Sequence, residues 1–223
     1  MRSSHVTRGR RRPRPRSVWP YADRMTEIVR EGYETIAGAF DEWRDRIIGD
    51  PRDEWRELLE SKLPDAARVL ELGCGSGHDA RKFARRFRVT GVDFSRAQLN
   101  LASDVDTIEA NFLDLELPEA SYDACVSFYV FNHAPREELA PLLAKIHRWL
   151  VPGGWFMHAF GVGDTEAWTG EWLGAPNFFS SYPADVNARL VREAGFELSR
   201  DELVTFREPE GEVTFQWVLA RSI

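Results

Sequence analysis

The chain has 223 residues, 43% of them hydrophobic, which is enough for one domain with a real core and ordinary for a globular protein. Its net charge of −7 is uneven: residues 1–24 hold eight Arg and one Asp (+7), leaving −14 on residues 25–223, an acidic body ill matched to a nucleic-acid backbone. No apolar run is long enough to span a bilayer, and no apolar segment follows the N-terminal arginines to form a secretory leader, so a cytoplasmic protein without a membrane partner is expected.

Residues 1–24 contain RGRRRPRPRS and almost no apolar periodicity, and read as a disordered basic tail. Met25-Thr-Glu-Ile-Val looks like an ordinary start. From Met25 to Ile48, the positions Ile28, Val29, Tyr33, Ile36, Ala37 and Phe40 recur at helical spacing. Asp50-Pro51 opens a second helix, with Asp50 placed to cap and Pro51 in the first turn. Trp55, Leu58, Leu59 and Leu63 form its inner face. Together residues 25–64 make a helical cap on a domain spanning 25–223.

Arg68 to Asp93 reads RVLELGCGSGHDARKFARRFRVTGVD. A short apolar run, Val69 to Leu72, breaks into three alternating glycines, Gly73, Gly75 and Gly77. A helical pattern follows with Ala80, Phe83, Ala84 and Phe87 on one face. A second run, Val89 to Val92, ends on Asp93. Strand, glycine turn, helix, strand and acid form the first βαβ unit of a sheet that holds a nucleoside. Glycines let the backbone turn tightly and approach a ligand. The helix start offers free N–H groups, and Asp93, 20 positions after Gly73, can accept two ribose hydroxyls.

Ser95-Arg96-Ala97-Gln98 is a capping box for the next helix. Val105 to Ala110 is a weak third strand. Asp123 to Phe131 is the most apolar strand, suited to a sheet centre. Pro135 begins a helix with Leu139, Leu142, Leu143, Ile146 and Leu150 inward. Val151-Pro-Gly-Gly154 turns into a strand from Trp155 to Phe160. Gly161 to Tyr182 has four glycines and five aromatics. It is too rich in rings for a solvated linker and too broken for a strand or long helix, and reads as a lid insertion. Pro183 to Ala194 is the last helix, stopped by Gly195. Phe196 to Phe206 and Glu212 to Ala220 close the chain as an antiparallel pair. The fold class is α/β: a doubly wound, seven-stranded, mostly parallel sheet with an antiparallel C-terminal strand and helices on both faces.

Read from Gly75, the turn is G-x-G-x-x-A, which suits a dinucleotide. Read from Glu71, it is E-L-G-C-G-S-G, which resembles the glycine motif of class I methyltransferases dependent on S-adenosylmethionine (SAM). The Leu150 to Gly154 turn, L-x-P-G-G, and the antiparallel closing pair resemble the same superfamily, over roughly residues 25–223. The closest likeness is to small bacterial members of unassigned substrate. The resemblance implies SAM as cofactor, S-adenosylhomocysteine (SAH) as product, and a small-molecule O, N or C nucleophile as acceptor. It implies cofactor contacts from Glu71, Gly73, Cys74, Gly75, Gly77 and His78, with Asp93 on the ribose. Asn111 stands where the superfamily often has an acid reading the adenine, between candidate sandwich residues Phe94 and Phe112. Tyr129 joins them at the fourth strand's tip. A Y-x-x-I-A-x-x-F segment, Tyr33 to Phe40, brings Tyr33 to the pocket.

The acceptor side draws on Phe131 at that strand tip and on Trp168, Trp172, Phe179 and Tyr182 of the lid. His133 is the candidate general base, at a strand tip and with an ordinary pKa near ~6.5. No His, Cys, Asp or Glu cluster has metal-ligand spacing, so no metal is expected. Cys74 and Cys125 read as two free thiols of a reducing compartment. Two other readings stand beside the transferase: a non-catalytic SAM-binding module, and an NAD(P)-linked oxidoreductase, which would lack the Tyr-x-x-x-Lys pair of short-chain enzymes. A monomer or homodimer is expected.

Overall fold

The computed structural model describes residues 20–223. Along the chain run α1 (Pro20–Arg44), α2 (Arg52–Glu60), β1 (Arg68–Leu72), α3 (His78–Phe83), β2 (Arg88–Asp93), α4 (Arg96–Leu101), β3 (Thr107–Glu109) and β4 (Tyr122–Phe128). Then come α5 (Leu139–Trp149), β5 (Leu150–Gly161), β6 (Thr165–Trp172), β7 (Ala175–Ser181), α6 (Ala184–Glu193), β8 (Phe196–Glu208) and β9 (Gly211–Ser222). Seven strands form one sheet in the order β3-β2-β1-β4-β5-β9-β8. β1 to β5 pair in parallel, and β9 runs antiparallel to both β5 and β8.

Strand side chains alternate, so successive residues feed different faces. Leu70, Leu72 and Cys125 pack with α5 residues Leu142, Leu143 and Ile146 and with Val191 of α6. Val69, Ala124 and Val126 pack instead with Trp55 and Leu59 of α2 and Ala80 and Phe83 of α3. Both faces of the central strands are therefore buried, which explains their unbroken apolar reading. The strand order reverses between β1 and β4, which opens a crevice at their carboxyl tips.

Several boundaries differ from expectation. The helix expected from Met25 begins at Pro20, so Pro20 to Arg24 are not a disordered tail; residues 1–19 lie outside the described residues. It ends at Arg44 rather than Ile48, because Ile48 leaves to form an antiparallel bridge with Arg207. The third strand is only Thr107–Glu109. β5 starts at Leu150, and its register jumps from Tyr122↔Leu150 to Ala124↔Trp155, so the Pro-Gly-Gly turn is a bulge within the strand. Residues 161–182 are not irregular. They form the β6–β7 antiparallel hairpin, with Leu173 and Gly174 turning at positive φ. The period-2 signal is hidden there because β6 is mostly exposed and takes Thr, Glu and Gly between its tryptophans.

Ser95 caps α4 by accepting the Gln98 N–H at 3.2 Å, but the Gln98 side chain makes no return bond. Cys74 and Cys125 are free and buried. Among the described residues no helix is long and apolar enough to cross a membrane, and no three His, Cys, Asp or Glu side chains could together hold a metal ion.

Candidate functional site

A cavity of about 280 Å³ lies over the crevice between β1 and β4. Its floor is the glycine turn. Gly73 adopts φ 70°, and a Cβ there would sit 2.4 Å from a Val130 methyl, so the close pass of this turn under the β4 tip requires glycine. The N–H groups of Gly73 and Cys74 both donate to the Val92 carbonyl, at 2.7 and 3.0 Å. Asp93 braces the turn from β2: one carboxylate oxygen accepts the Gly75 N–H and the other the Ser95 N–H, each at 2.9 Å. The Phe94 N–H also bonds to this carboxylate, and Asp93 lines the cavity. Burial pushes the Asp93 carboxyl up to about 6, against the lowering effect of the backbone N–H groups.

Glu71 is buried on the same wall, and burial, then the charge of Asp79, holds its carboxyl well above the usual range. Its Oε2 has no hydrogen-bond partner, nor do both side-chain polar atoms of Gln98 or Oδ1 of Asn132, among the described residues. Unpartnered polar atoms in one cavity wall are costly unless a ligand satisfies them. They suit the cofactor implied by the glycine motif, which brings an ammonium, a carboxylate and two ribose hydroxyls.

The roof comes from elements far apart in sequence. α1 is pinned at two points. Glu34 accepts the Arg96 and Ala97 N–H groups at the start of α4, and Asp41 accepts the Ser76 hydroxyl at 2.7 Å. Gly32 lets α1 lie against β7, since a Cβ would meet the Pro176 carbonyl oxygen at 2.4 Å. α1 then supplies Tyr33, Phe40 and Trp43 to the cavity, the β6–β7 hairpin supplies Trp172 and Phe179, and the β8–β9 hairpin supplies Glu208 and Phe215. Trp43 Nε1–H donates to both carboxylate oxygens of Glu210, tying the last hairpin to α1.

Tyr129 holds φ 59° at the tip of β4, a conformation uncommon for a bulky residue. Its hydroxyl donates to Asp50 at 2.9 Å, and its ring meets Phe215 with centroids 4.6 Å apart. Asp50 also accepts the Arg52 N–H, although the N-cap of α2 is Pro51 and not Asp50 as expected, and the Arg52 side chain bridges Asp50 and Asp79. Beyond this turn sits His133. Its Nδ1 lies 3.1 Å from the Phe178 carbonyl oxygen, which can only accept, so Nδ1 carries the proton. Its Nε2 therefore offers a lone pair, and the Tyr33 hydroxyl donates to it at 2.9 Å. Burial pushes the imidazole down to about 4. His133 is thus neutral near pH 7, but its basic nitrogen is engaged by Tyr33 and is not the free base expected.

Of the expected residues, Glu71, Gly73, Cys74, Gly75, His78, Asp93, Phe94, Asn111, Phe112, Tyr129, Tyr33, His133, Trp172 and Phe179 line the cavity. Gly77 does not; at φ 78° it forms the N-terminal cap of α3. Phe131 is core, stacked on the buried His158 with centroids 3.9 Å apart, because the 3-10 turn after β4 turns it away from the crevice. Trp168 packs on Phe179 from outside and is exposed, and Tyr182 lies beneath the Arg136 guanidinium. Asn111 lines the wall, but its Oδ1 already accepts the Leu113 N–H at 3.0 Å. Burial pushes both cysteine thiols up, so neither is a ready nucleophile. Sequence reasoning missed Trp43, Arg44, Arg52, Glu208 and Phe215. Continuing the helical period of Tyr33, Ile36 and Phe40 reaches Trp43; nothing local marks Glu208 or Phe215.

Residues 69–154 match the family described as a methyltransferase domain. The chain is 35% identical over 150 residues to a SAM-dependent Diels–Alderase, iccD, of Talaromyces variabilis, covering 57% of this chain and 51% of the relative. It is 30% identical over 151 residues to a fatty-acid O-methyltransferase of Mycolicibacterium smegmatis, covering 62% of this chain and 53% of the relative. The chain thus spans about half the length of these curated relatives. A solved SAM-dependent methyltransferase of Methanosarcina mazei shares the fold, with a TM-score of 0.67 at 15% identity over 74% of this chain and 97% of that one.

Proposed function

We propose that this chain, whose residues 69–154 match a methyltransferase domain, is a class I SAM-dependent enzyme that moves a methyl group from SAM to a nucleophilic atom of a small molecule. One observation carries this reading. The glycine turn, Asp93 and the unpartnered Glu71 share a single cavity with an aromatic chamber that has no need to exist for cofactor binding alone. Asp93 holds the ribose, Glu71 faces the amino-acid end, and Phe94, Asn111 and Phe112 bound the adenine. Tyr33 and His133 orient the acceptor: the imidazole fixes the phenol, and the phenol fixes the wall beside the acceptor. The β6–β7 hairpin acts as the lid, and its rings keep water from the reacting atoms.

When bound, SAM supplies a methyl group already activated on sulfur, so the protein's share of catalysis is alignment and water exclusion. The test is to incubate the purified chain with methyl-labelled SAM and a whole-cell extract that holds both small molecules and macromolecules, and to separate the label by size. Label in small molecules supports the reading. Label in precipitated macromolecules overturns the acceptor class. SAM bound with no label transferred to either fraction overturns the transferase.

A further inference from the structure

The acceptor end of the cavity pairs a nest of rings with one carboxylate. Trp43 and Trp172 meet edge-on with centroids 5.1 Å apart, and Phe40 lies 5.9 and 6.1 Å from them. Glu208 lines the same chamber from the end of β8, opposite Gly211 in register, and Phe215 of β9 lines it from opposite Val204. Its carboxylate takes part in no hydrogen bond or ion pair with any described residue. The cations nearby are already committed: Arg44 to Asp41 and Asp45, Arg52 to Asp50 and Asp79. His133 is neutral. Among the described residues that line the cavity, no unpaired arginine or lysine is left over to receive an anionic acceptor.

We propose that this chamber is a subsite for a cationic amine, held by the faces of Phe40, Trp43, Trp172 and Phe215, with Glu208 as its counter-ion. Ring faces attract a cation through their quadrupole, and the attraction grows as water is excluded. A half-buried carboxylate without a partner is costly as an anion, and a cation between it and the rings removes that cost. Consistent with this, burial, and then the charges of Glu210 and Asp50, push the Glu208 carboxyl up to about 7; an arriving cation reverses that pressure. The same features disfavour a carboxylate acceptor, which would face Glu208 across a low-dielectric chamber. The inference rests on the methyltransferase reading and narrows its acceptor to small molecules that carry a cationic amine; the charged nitrogen has no lone pair, so the methylated atom is a separate nucleophile of the same molecule.

Benzyltrimethylammonium is a suitable probe, because it is a permanent cation and carries no methyl-accepting lone pair. Its binding to the full chain is measured by tryptophan fluorescence and calorimetry, beside phenylacetate as the anion and benzyl alcohol as the neutral compound, with and without saturating SAH. SAH affinity is measured separately. The expected result is saturable cation binding at least about tenfold tighter than that of either competitor, retained with SAH present. Glu208→Gln and Trp172→Leu each weaken it about fivefold or more while SAH affinity and the thermal midpoint hold. Equal binding of the three probes by the wild-type chain overturns the proposal, as does a cation displaced by SAH, or a preference untouched by Glu208→Gln. Failure of SAH to bind overturns the parent reading instead, and the cation preference is then read from the SAH-free titration.

Discussion

The two ends of the cavity are built on different physics. The cofactor end is backbone and buried polar atoms: glycines at positive φ, Asp93 bridging two amides, and Glu71 and Gln98 left without partners. It selects by hydrogen bonds whose loss is expensive, and it sits on β1 and β2, inside the sheet. The acceptor end is rings and a carboxylate carried by α1 and two hairpins, held together by a few side-chain contacts. On the proposed reading it would select by shape and charge. One end is therefore fixed by the fold, and the other can change its ligand without disturbing the sheet.

The sharpest way to break this contrast uses two glycines with the same clearance. A Cβ at Gly73 and a Cβ at Gly32 each meet a neighbour at 2.4 Å. Gly73→Ala adds strain from φ 70° and lifts the turn off Val130. It is expected to weaken SAH binding more than about tenfold and to cost roughly 1–3 kcal/mol of stability. Gly32→Ala pushes α1 from the Pro176 carbonyl and is expected to cost a similar ~1–3 kcal/mol, while SAH affinity changes less than about threefold. Calorimetry of SAH binding with thermal melts of both variants decides it. Equal loss of SAH affinity in the two would mean the roof and the floor are one unit.

A smaller effect comes from pH. The folded Asp93 carboxyl at about 6 stands above its ordinary 3.8, so the folded chain holds that proton more tightly than the unfolded one. Its contribution to the stability of the ligand-free protein is full below 3.8 and is lost as pH rises through about 6. Ligand binding runs the other way, because the ionised form is the better acceptor for ribose hydroxyls. SAH affinity should fall about tenfold per unit as pH drops below about 6, and Asp93→Asn should flatten the profile at a weaker value. A wild-type profile flat from pH 5 to 7.5 would remove Asp93 from the cofactor contact.

The same division explains what the sequence made legible. Gly73, Gly75 and Asp93 were readable because the constraint that fixes them is local: a turn, a helix start and a strand tip within one βαβ unit. Tyr33 was found on the first helix, His133 at a strand tip, and Trp172 and Phe179 in a ring-rich segment, but not as partners. The Tyr33–His133 bond joins positions 100 residues apart, and no local pattern encodes it. Phe131 was misplaced because one 3-10 turn decides which of Phe131, Asn132 and His133 faces the crevice. Glu208 was invisible because a charged residue near a hairpin end reads as solvated surface until the opposite elements are packed over it.

The smallest expected change tests what holds His133 neutral. Tyr33→Phe removes the hydroxyl that donates to Nε2 and leaves that lone pair buried and unpaired. The cost should be about 1–2 kcal/mol, which for a chain of this size lowers the melting midpoint by a few degrees. SAH affinity should stay within about twofold, since the cofactor end does not use this bond. The more informative readout is the nitrogen-15 spectrum of His133. Burial is the largest cause of its depressed pKa, and the Phe178 carbonyl still fixes the proton on Nδ1. The imidazole should therefore remain in the same neutral tautomer through pH 6 in the variant. A pKa that climbs toward ~6.5 would show that without the Tyr33 hydroxyl the chamber admits water to His133. The aromatic end would then be sealed by this one bond, not by its rings.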